Sequence, residues 1–538
     1  MILAAWLESQ AIGGIIHCMR RWAWLCVAVS LTADTYPRQA GVDAEHYAFR
    51  IGLSDTSDEI RGEARVDVRR LRDGVHALFL DFASGMSVDG VAADGTALAF
   101  EHRAERLRIS LPPAGARLSV TVRYHGVPAS GLRIGPNQHG DRTFFSLNWP
   151  DKARGWLPMI DHPYDKATSE FFITAPARYQ VVANGALQEE TDLGNGRRVT
   201  HWKESVPIAS WLNAIAVAQF SVRHFGTAKG IELSNWVYRQ DREMGVSTLD
   251  VATRNAVEFL SDFVGPYPFE KLANVQAAGF AGGMEHASVI FYGEKTVTAK
   301  PSATLVAHEV AHQWFGNSVT ESDWDDLWLS EGFATYFALL CVERMEGRDA
   351  FVSGLKRSRT TILNLEAKLP STAVIHANLA DMKKIANGLI YQKGAWTLHM
   401  LRGLIGMEAF RNGMRDYYQR YRGRNATTAD FQRVMEEHSG VELGWFLDQW
   451  LRRPGTPAIE GTWSYDAGAK QVQIALRQTQ PGGVYRLPLE FGLDGDRVER
   501  VEMKTREERF VIGAGKEPSA VRMDPNMWTL ATETFQKH

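Results

Sequence analysis

The sequence predicts a multidomain α+β protein: an N-terminal antiparallel β domain, an α-rich middle domain and a small C-terminal β-sandwich. Three observations point there. The chain has 538 residues, more than one hydrophobic core supports, so about two to four domains are expected. Its apolar periodicity changes from alternating to helical and back to alternating. The second change falls on "RRPGTP", where Pro454, Gly455 and Pro457 punctuate the chain as a linker does.

Residues 1–40 read as a leader-like segment. From Met19, "MRRWAWLCVAVSLTAD" places Arg20 and Arg21 before an apolar stretch, Trp22 to Leu31, with small Ala33 as a cleavage point. That stretch is too short to span a bilayer. It predicts export, to the periplasm or beyond the cell; without a working leader the reading is cytoplasmic. "MILAAWLESQAIGGIIHC" upstream reads as an extension from a misassigned start codon. Residues 41–225 read as strands: "HYAFRIGL", "ARLSVTVRYHG" and "YQVVANGAL" alternate apolar and polar residues between Gly, Asp and Pro. Residues 226–453 turn helical, as in "STLDVATRNAVEFLSDFVG" and "GAWTLHMLRGLIG". Residues 454–538 alternate again, as in "KQVQIALRQTQ", with the size of a small sandwich.

Composition narrows the function classes. The net charge is −3, which supplies no basic footprint for nucleic acid. Nothing after the leader approaches the ~20 continuous apolar residues of a membrane span, so an integral membrane protein is not expected. Cys18 and Cys26 lie in the leader; once it is removed Cys341 is alone and no intrachain disulfide forms. Oligomeric state is not legible.

The chemistry centres on "KPSATLVAHEVAHQWFGN". Ser302 suits an N-cap and Gly316-Asn317 a C-terminal stop. Between them His308 and His312 fall one turn apart on one helical face, where two imidazoles reach a single ion. Zinc takes nitrogen and carboxylate ligands tetrahedrally and leaves one position for water. Glu309, one step around the helix, reaches that water as a base without being a ligand. A bare pair of histidines is weak evidence; a third ligand strengthens it. Glu331 in "DDLWLSEGFATYF" opens a second amphipathic helix after a spacing that lets it return opposite the pair. One zinc ion per chain is expected.

His308-Glu309-x-x-His312 with Glu331 in "WLSEGFA" resembles the aminopeptidase-N family of zinc metallopeptidases (gluzincin aminopeptidases), which includes the leukotriene hydrolases. "GGMEH", Gly282 to His286, is similar to the family's Gly-x-Met-Glu-Asn motif, and "YQKG", Tyr391 to Gly394, to its Tyr-x-Lys-Gly element. The resemblance implies a thermolysin-like catalytic domain between two β domains, in a short form without the family's C-terminal helical domain. It implies a metallo-aminopeptidase acting on peptides with a free N-terminus. Gly282, Gly283, Met284, Glu285 and His286 would bind substrate, Glu285 by pairing with the α-ammonium in a charge-assisted contact. Tyr391 would stabilise the oxyanion.

This sequence departs from the family's pattern in three places. His286 replaces the motif's asparagine. Trp149, in "SLNWPDKARGW", stands where a second ammonium anchor is usual, with Asn148 and Asp151 as neighbours. The missing helical domain implies a more open cleft that admits longer peptides. His376 and His399 read as core or surface residues. Two other readings use the same residues: a zinc endopeptidase, which "GGMEH" opposes, and a catalytically silent peptide-binding protein, which the retained Glu309 and Tyr391 oppose. No residue calls for epoxide hydrolysis of a lipid. The preferred N-terminal side chain is not legible.

Overall fold

The computed structural model describes residues 34–538 apart from 114, 246–248, 299–301 and 495–496. The leader expected over residues 1–33 lies outside the described residues. Residues 34–40, read as leader, instead pack onto the body. Asp34 is buried against His162, Oδ2 to Nε2 2.7 Å, and its N–H donates to Asp323 at 2.9 Å.

The first β region forms an eight-stranded sheet with smaller sheets beside it. Val42–Gly52 pairs antiparallel with Ile60–Arg70 and, on its other edge, parallel with Ala167–Pro176. The sequence alternation is real: in Ala167–Pro176 the residues Ala167, Ser169, Phe171, Ile173 and Ala175 are buried and their neighbours are not. A four-stranded sheet of Gly131–Pro136, Arg142–Leu147, Ile215–Ala218 and Gln180–Ala183 leads toward the helical region.

That region is not purely helical. It carries a five-stranded mixed sheet, in order Phe220–Ala228, Ile231–Tyr238, Lys271–Ala277, Val289–Gly293, Gly283–Met284. The sheet starts at Phe220, a few residues before the expected change at 226. Lys271–Ala277 and Val289–Gly293 are buried almost throughout. Strands covered on both faces lose alternation, so their sequence does not announce them.

Five helices build the site: α1 (Asp250–Phe263), α2 (Ala303–His312), α3 (Trp328–Glu346), α4 (Arg348–Lys368) and α5 (Gly388–Ile405). The expected amphipathic character of α3 is corrected: from Trp328 to Val342 every residue but Thr335 is buried. A helix apolar all round is a central one, and α3 packs against α1, α2, α4 and α5. It crosses α5 at a pair of glycines. A Cβ on Gly394 would stand 3.1 Å from Gly332 Cα, and one on Gly332 3.0 Å from Gly394 Cα. Backbones touching this closely bring Glu331 and Tyr391 to the same place.

The C-terminal domain is a sandwich of a four-stranded and a three-stranded sheet. It backs α5. Trp528 stacks on His399 at 4.7 Å, and Lys393 Nζ donates to Gly455 O at 2.7 Å and to Glu366 Oε1 at 2.9 Å. The lysine of "YQKG" therefore ties the linker to α5 and α4. No helix among the described residues is long and apolar enough to cross a membrane.

Gly394→Ala tests the crossing. The added methyl meets backbone, which cannot rotate away. Overpacking of about 1–3 kcal/mol should outweigh the gain of roughly 1 kcal/mol in helix propensity. Thermal unfolding is expected to show a lower Tm; an unchanged or raised Tm would contradict the close contact.

Candidate active site

Ser302 caps α2, its Oγ accepting from Leu305 N–H at 3.2 Å. One turn apart, His308 and His312 bring their Nε2 atoms within 3.0 Å of each other. Glu331, in the first turn of α3, places Oε2 3.3 Å from each of those nitrogens. This oxygen is buried and is left without a well-formed hydrogen bond among the described residues. The distances between these three donor atoms match the edges of a coordination polyhedron. Zinc bonds of about 2.0–2.2 Å in tetrahedral geometry set donor–donor edges near 3.3 Å.

The outward nitrogens of the rings have partners of their own. His312 Nδ1 lies 3.1 Å from Ser330 Oγ and 3.3 Å from Phe315 O. His308 Nδ1 lies 3.5 Å from Thr335 Oγ1. Such contacts orient ligating imidazoles.

Charge gives a second test of the fit. Glu285, Glu309 and Glu331 are 6%, 4% and 5% exposed. Burial raises the Glu285 and Glu309 carboxyls above their usual range, and neighbouring carboxylates add to it while His312 opposes. Burial also opposes charge on Glu331, but His312 and His308 override it and hold that carboxyl low. His312 is pushed up to about 10: burial works against its charge, and Glu285, Glu331 and Glu309 overcome it. Burial lowers His308. A buried pocket that gathers three acidic side chains around two imidazoles is short of positive charge, and a divalent cation supplies it. Both donor set and charge fit zinc.

Glu285 follows the edge strand Gly283–Met284, whose register sets Gly283 opposite Tyr292 and Met284 opposite Phe291. Its backbone carbonyl accepts from Asn317 Nδ2 at 2.5 Å and Gln313 Nε2 at 3.1 Å. Residues just past the end of α2 thus fix the Glu285 loop. A Cβ on Gly283 would overlap the Glu309 carboxyl carbon, so only glycine lets the carboxylate lie against the strand. Tyr391, on α5, stacks near-parallel to His308, centroids 6.1 Å apart. Burial raises its hydroxyl above the usual range, with Glu331 adding to the shift.

These groups line one cleft of about 620 Å³ with Trp149, Gly283, Met284, Glu285, Glu309 and Tyr391 in its wall. Two residues expected to bind substrate lie outside the cleft lining. Gly282 is outside the lining, and His286 is fully buried, edge-on to Phe291 at 4.6 Å. Neither His286 nitrogen has a partner among the described residues, and burial drops its pKa to about 3. His286 is a neutral core residue because the chain turns inward after Glu285. Asn148 is occupied too: it donates to Asn213 O at 2.7 Å and accepts from Trp156 Nε1 at 2.9 Å. Asp151 lies outside the lining, 3.9 Å from Arg154. Trp149 reaches the cleft and packs edge-on to Trp324 at 6.4 Å. His376 and His399 bond backbone carbonyls at 2.8 and 2.9 Å, as expected of structural residues.

Gln313, Asn317, Ser330, Thr335 and Gly283 support the site in ways that the motifs alone did not reveal. The first two sit inside the "HEVAHQWFGN" stretch, but their acceptor lies on a strand loop elsewhere in the chain.

Comparison with known proteins agrees with this geometry. Residues 247–450 match the Peptidase family M1 domain and residues 44–212 the Peptidase M1 N-terminal domain. Among curated relatives, a glutamyl aminopeptidase of Bitis rhinoceros is 31% identical over 326 residues, 58% of this chain and 34% of that protein. Glutamyl aminopeptidase of Rattus norvegicus is 27% identical over 386 residues, 68% of this chain and 41% of that protein. Aminopeptidase M1-C of Oryza sativa subsp. japonica is 29% identical over 374 residues, 66% of this chain and 42% of that protein. The chain thus spans less than half the length of these relatives. Both domain matches fall in order on the β domain and on the domain that holds the histidine pair, and the chain belongs to the aminopeptidase-N-like gluzincins of peptidase family M1.

Proposed function

We propose that this chain is a zinc-dependent aminopeptidase that removes N-terminal residues from peptides. The observation that carries the reading is the convergence of His308, His312 and Glu331 beside a buried carboxylate, Glu285, in one cleft. The first three would hold the ion. When bound, zinc supplies Lewis acidity, lowering the pKa of a water and polarising the scissile carbonyl.

The chain's own residues do the rest. Glu285 accepts the α-ammonium of the substrate, and a charge-assisted pair with so deeply buried a carboxylate is strong. That contact sets the distance from the free amine to the cleaved bond. Glu309 takes a proton from the attacking water as the oxygen–carbon bond forms. It then returns the proton to the leaving nitrogen as the carbon–nitrogen bond breaks. The products are a free amino acid and a peptide one residue shorter. Tyr391 donates its hydroxyl hydrogen to the oxyanion that develops on the former carbonyl. Trp149 takes the place of a second anchor, so Glu285 carries the ammonium against an aromatic wall. An endopeptidase would need the cleft free of charge at this end, which Glu285 denies. Export through the leader from Met19 is part of the same proposal.

Two substitutions test the roles. Glu309→Gln is expected to keep the metal and lose roughly 10²-fold or more in kcat; near wild-type turnover in metal-loaded protein would refute the base. A panel of aminoacyl-arylamides and their N-acetylated forms, with and without chelator, tests the exopeptidase reading. Glu285→Ala should erase the preference for the free amine; an unchanged ratio between the two forms would sink the anchor.

A further inference from the structure

The far end of the cleft carries a feature that the peptidase motifs leave unused. Gly354, Arg357, Ser358 and Thr361 on α4 all line the cleft. Their spacing, i, i+3, i+4 and i+7, is one face of a helix. α4 buries Phe351, Leu355 and Ile362 as an ordinary amphipathic helix does, and beside that apolar stripe it turns a small, cationic and hydroxylated one to the cleft. Arg357 is the one lysine or arginine among the described residues of the lining, opposite a cleft otherwise furnished with Glu285, Glu309 and Glu331. Its side chain is exposed, and no ion-pair partner for it is present among the described residues. Beside it Ser358 is 4% exposed, and its Oγ has no hydrogen-bond partner among the described residues. An orphaned buried hydroxyl next to an unpaired guanidinium is a pair of donors awaiting an acceptor.

Position supplies the rest. A Cβ on Gly354 would lie 2.6 Å from Leu339 Cδ2 and 3.9 Å from Arg357 Nη2, so the guanidinium folds back over Gly354 at the level of Leu339. Leu339 lies two turns along α3 from Glu331, about 12 Å at 1.5 Å per residue. An extended peptide advances about 3.3–3.6 Å per residue, so about three residues past the cleaved bond reach it. Glu285 sits instead at the histidine end of the cleft, its carboxylate within 4.8 Å of Glu309 and His312 and its loop held by Asn317 and Gln313 beyond the end of α2. The cleft is therefore electrically polar along its length, negative where the amine enters and positive where the chain leaves.

We propose that Arg357, with Ser358, binds a substrate carboxylate about three residues beyond the scissile bond, which makes short peptides with a free C-terminus the favoured substrates. The inference rests on the aminopeptidase reading and deepens it. Longer peptides forgo the second charge pair. Arg357 is a specificity residue here and takes no part in bond cleavage.

The test compares one tetrapeptide as free acid, as C-terminal amide, and as amide with glutamate in the last position. The wild-type enzyme is expected to favour the acid over the amide about 10-fold in kcat/KM. Arg357→Gln should bring that ratio near 1, Arg357→Glu below 1, and Ser358→Ala should reduce it part of the way. Recovery in the glutamate-bearing amide would assign the contact to any carboxylate at that distance; lack of recovery would assign it to the chain terminus. An acid-to-amide ratio near 1 in the wild type, or one that Arg357→Gln leaves unchanged, overturns the proposal. Wild-type cleavage of aminoacyl-arylamides, which have no such carboxylate, separates this failure from failure of the aminopeptidase reading.

Discussion

Three donor atoms held at about one tetrahedral edge from one another, inside protein, are the constraint on which the rest of this structure depends. Two come from successive turns of α2 and one from the first turn of α3. Gathering buried acidic and imidazole groups this closely costs desolvation, which a bound cation offsets. The scaffold nonetheless holds them in place. α3 is sunk into the helical layer so that Glu331 has one orientation, and Ser330 and Thr335 on the same helix meet the outer nitrogens of the two rings. Position and support come from one rigid element, which is what a preorganised metal centre requires.

The remaining site is arranged by close backbone approach. Gly283 admits the Glu309 carboxylate against an edge strand, and the Gly332–Gly394 crossing brings α5 with Tyr391 against α3. Behind α5, Lys393 and Trp528 connect the C-terminal sandwich to the same helix. The small β domain therefore acts as a buttress for the helix that carries the tyrosine.

Much of this was legible in the sequence, for physical reasons that differ by element. The alternation of Ala167–Pro176 marks a sheet with one buried face, and the four-residue spacing of His308 and His312 is meaningful only on a helix. Ser302 marks the start of that helix through its cap, whereas the stop expected at Gly316-Asn317 lies beyond the actual end at His312. What escaped was whatever depends on burial from both sides or on distant partners. Lys271–Ala277 and Val289–Gly293 lack alternation because the sheet is covered. The same blindness made α3 look amphipathic. His286 resembled a ligand-facing residue by its place in a motif, yet the turn after Glu285 sends it into the core. Asn317 and Gln313 were in plain view, but their acceptor is set by tertiary structure. Nothing in the sequence singles out Arg357, and only the fold brings it into one cleft with Glu285.

The most direct measurement is metal content. Elemental analysis of purified, folded protein after dialysis, repeated after chelation and zinc re-addition, reads the donor triad itself. The account predicts about one zinc per chain, lost to chelator and regained, and abolished in His312→Ala. Folded wild-type protein that holds no transition metal and regains none would contradict it.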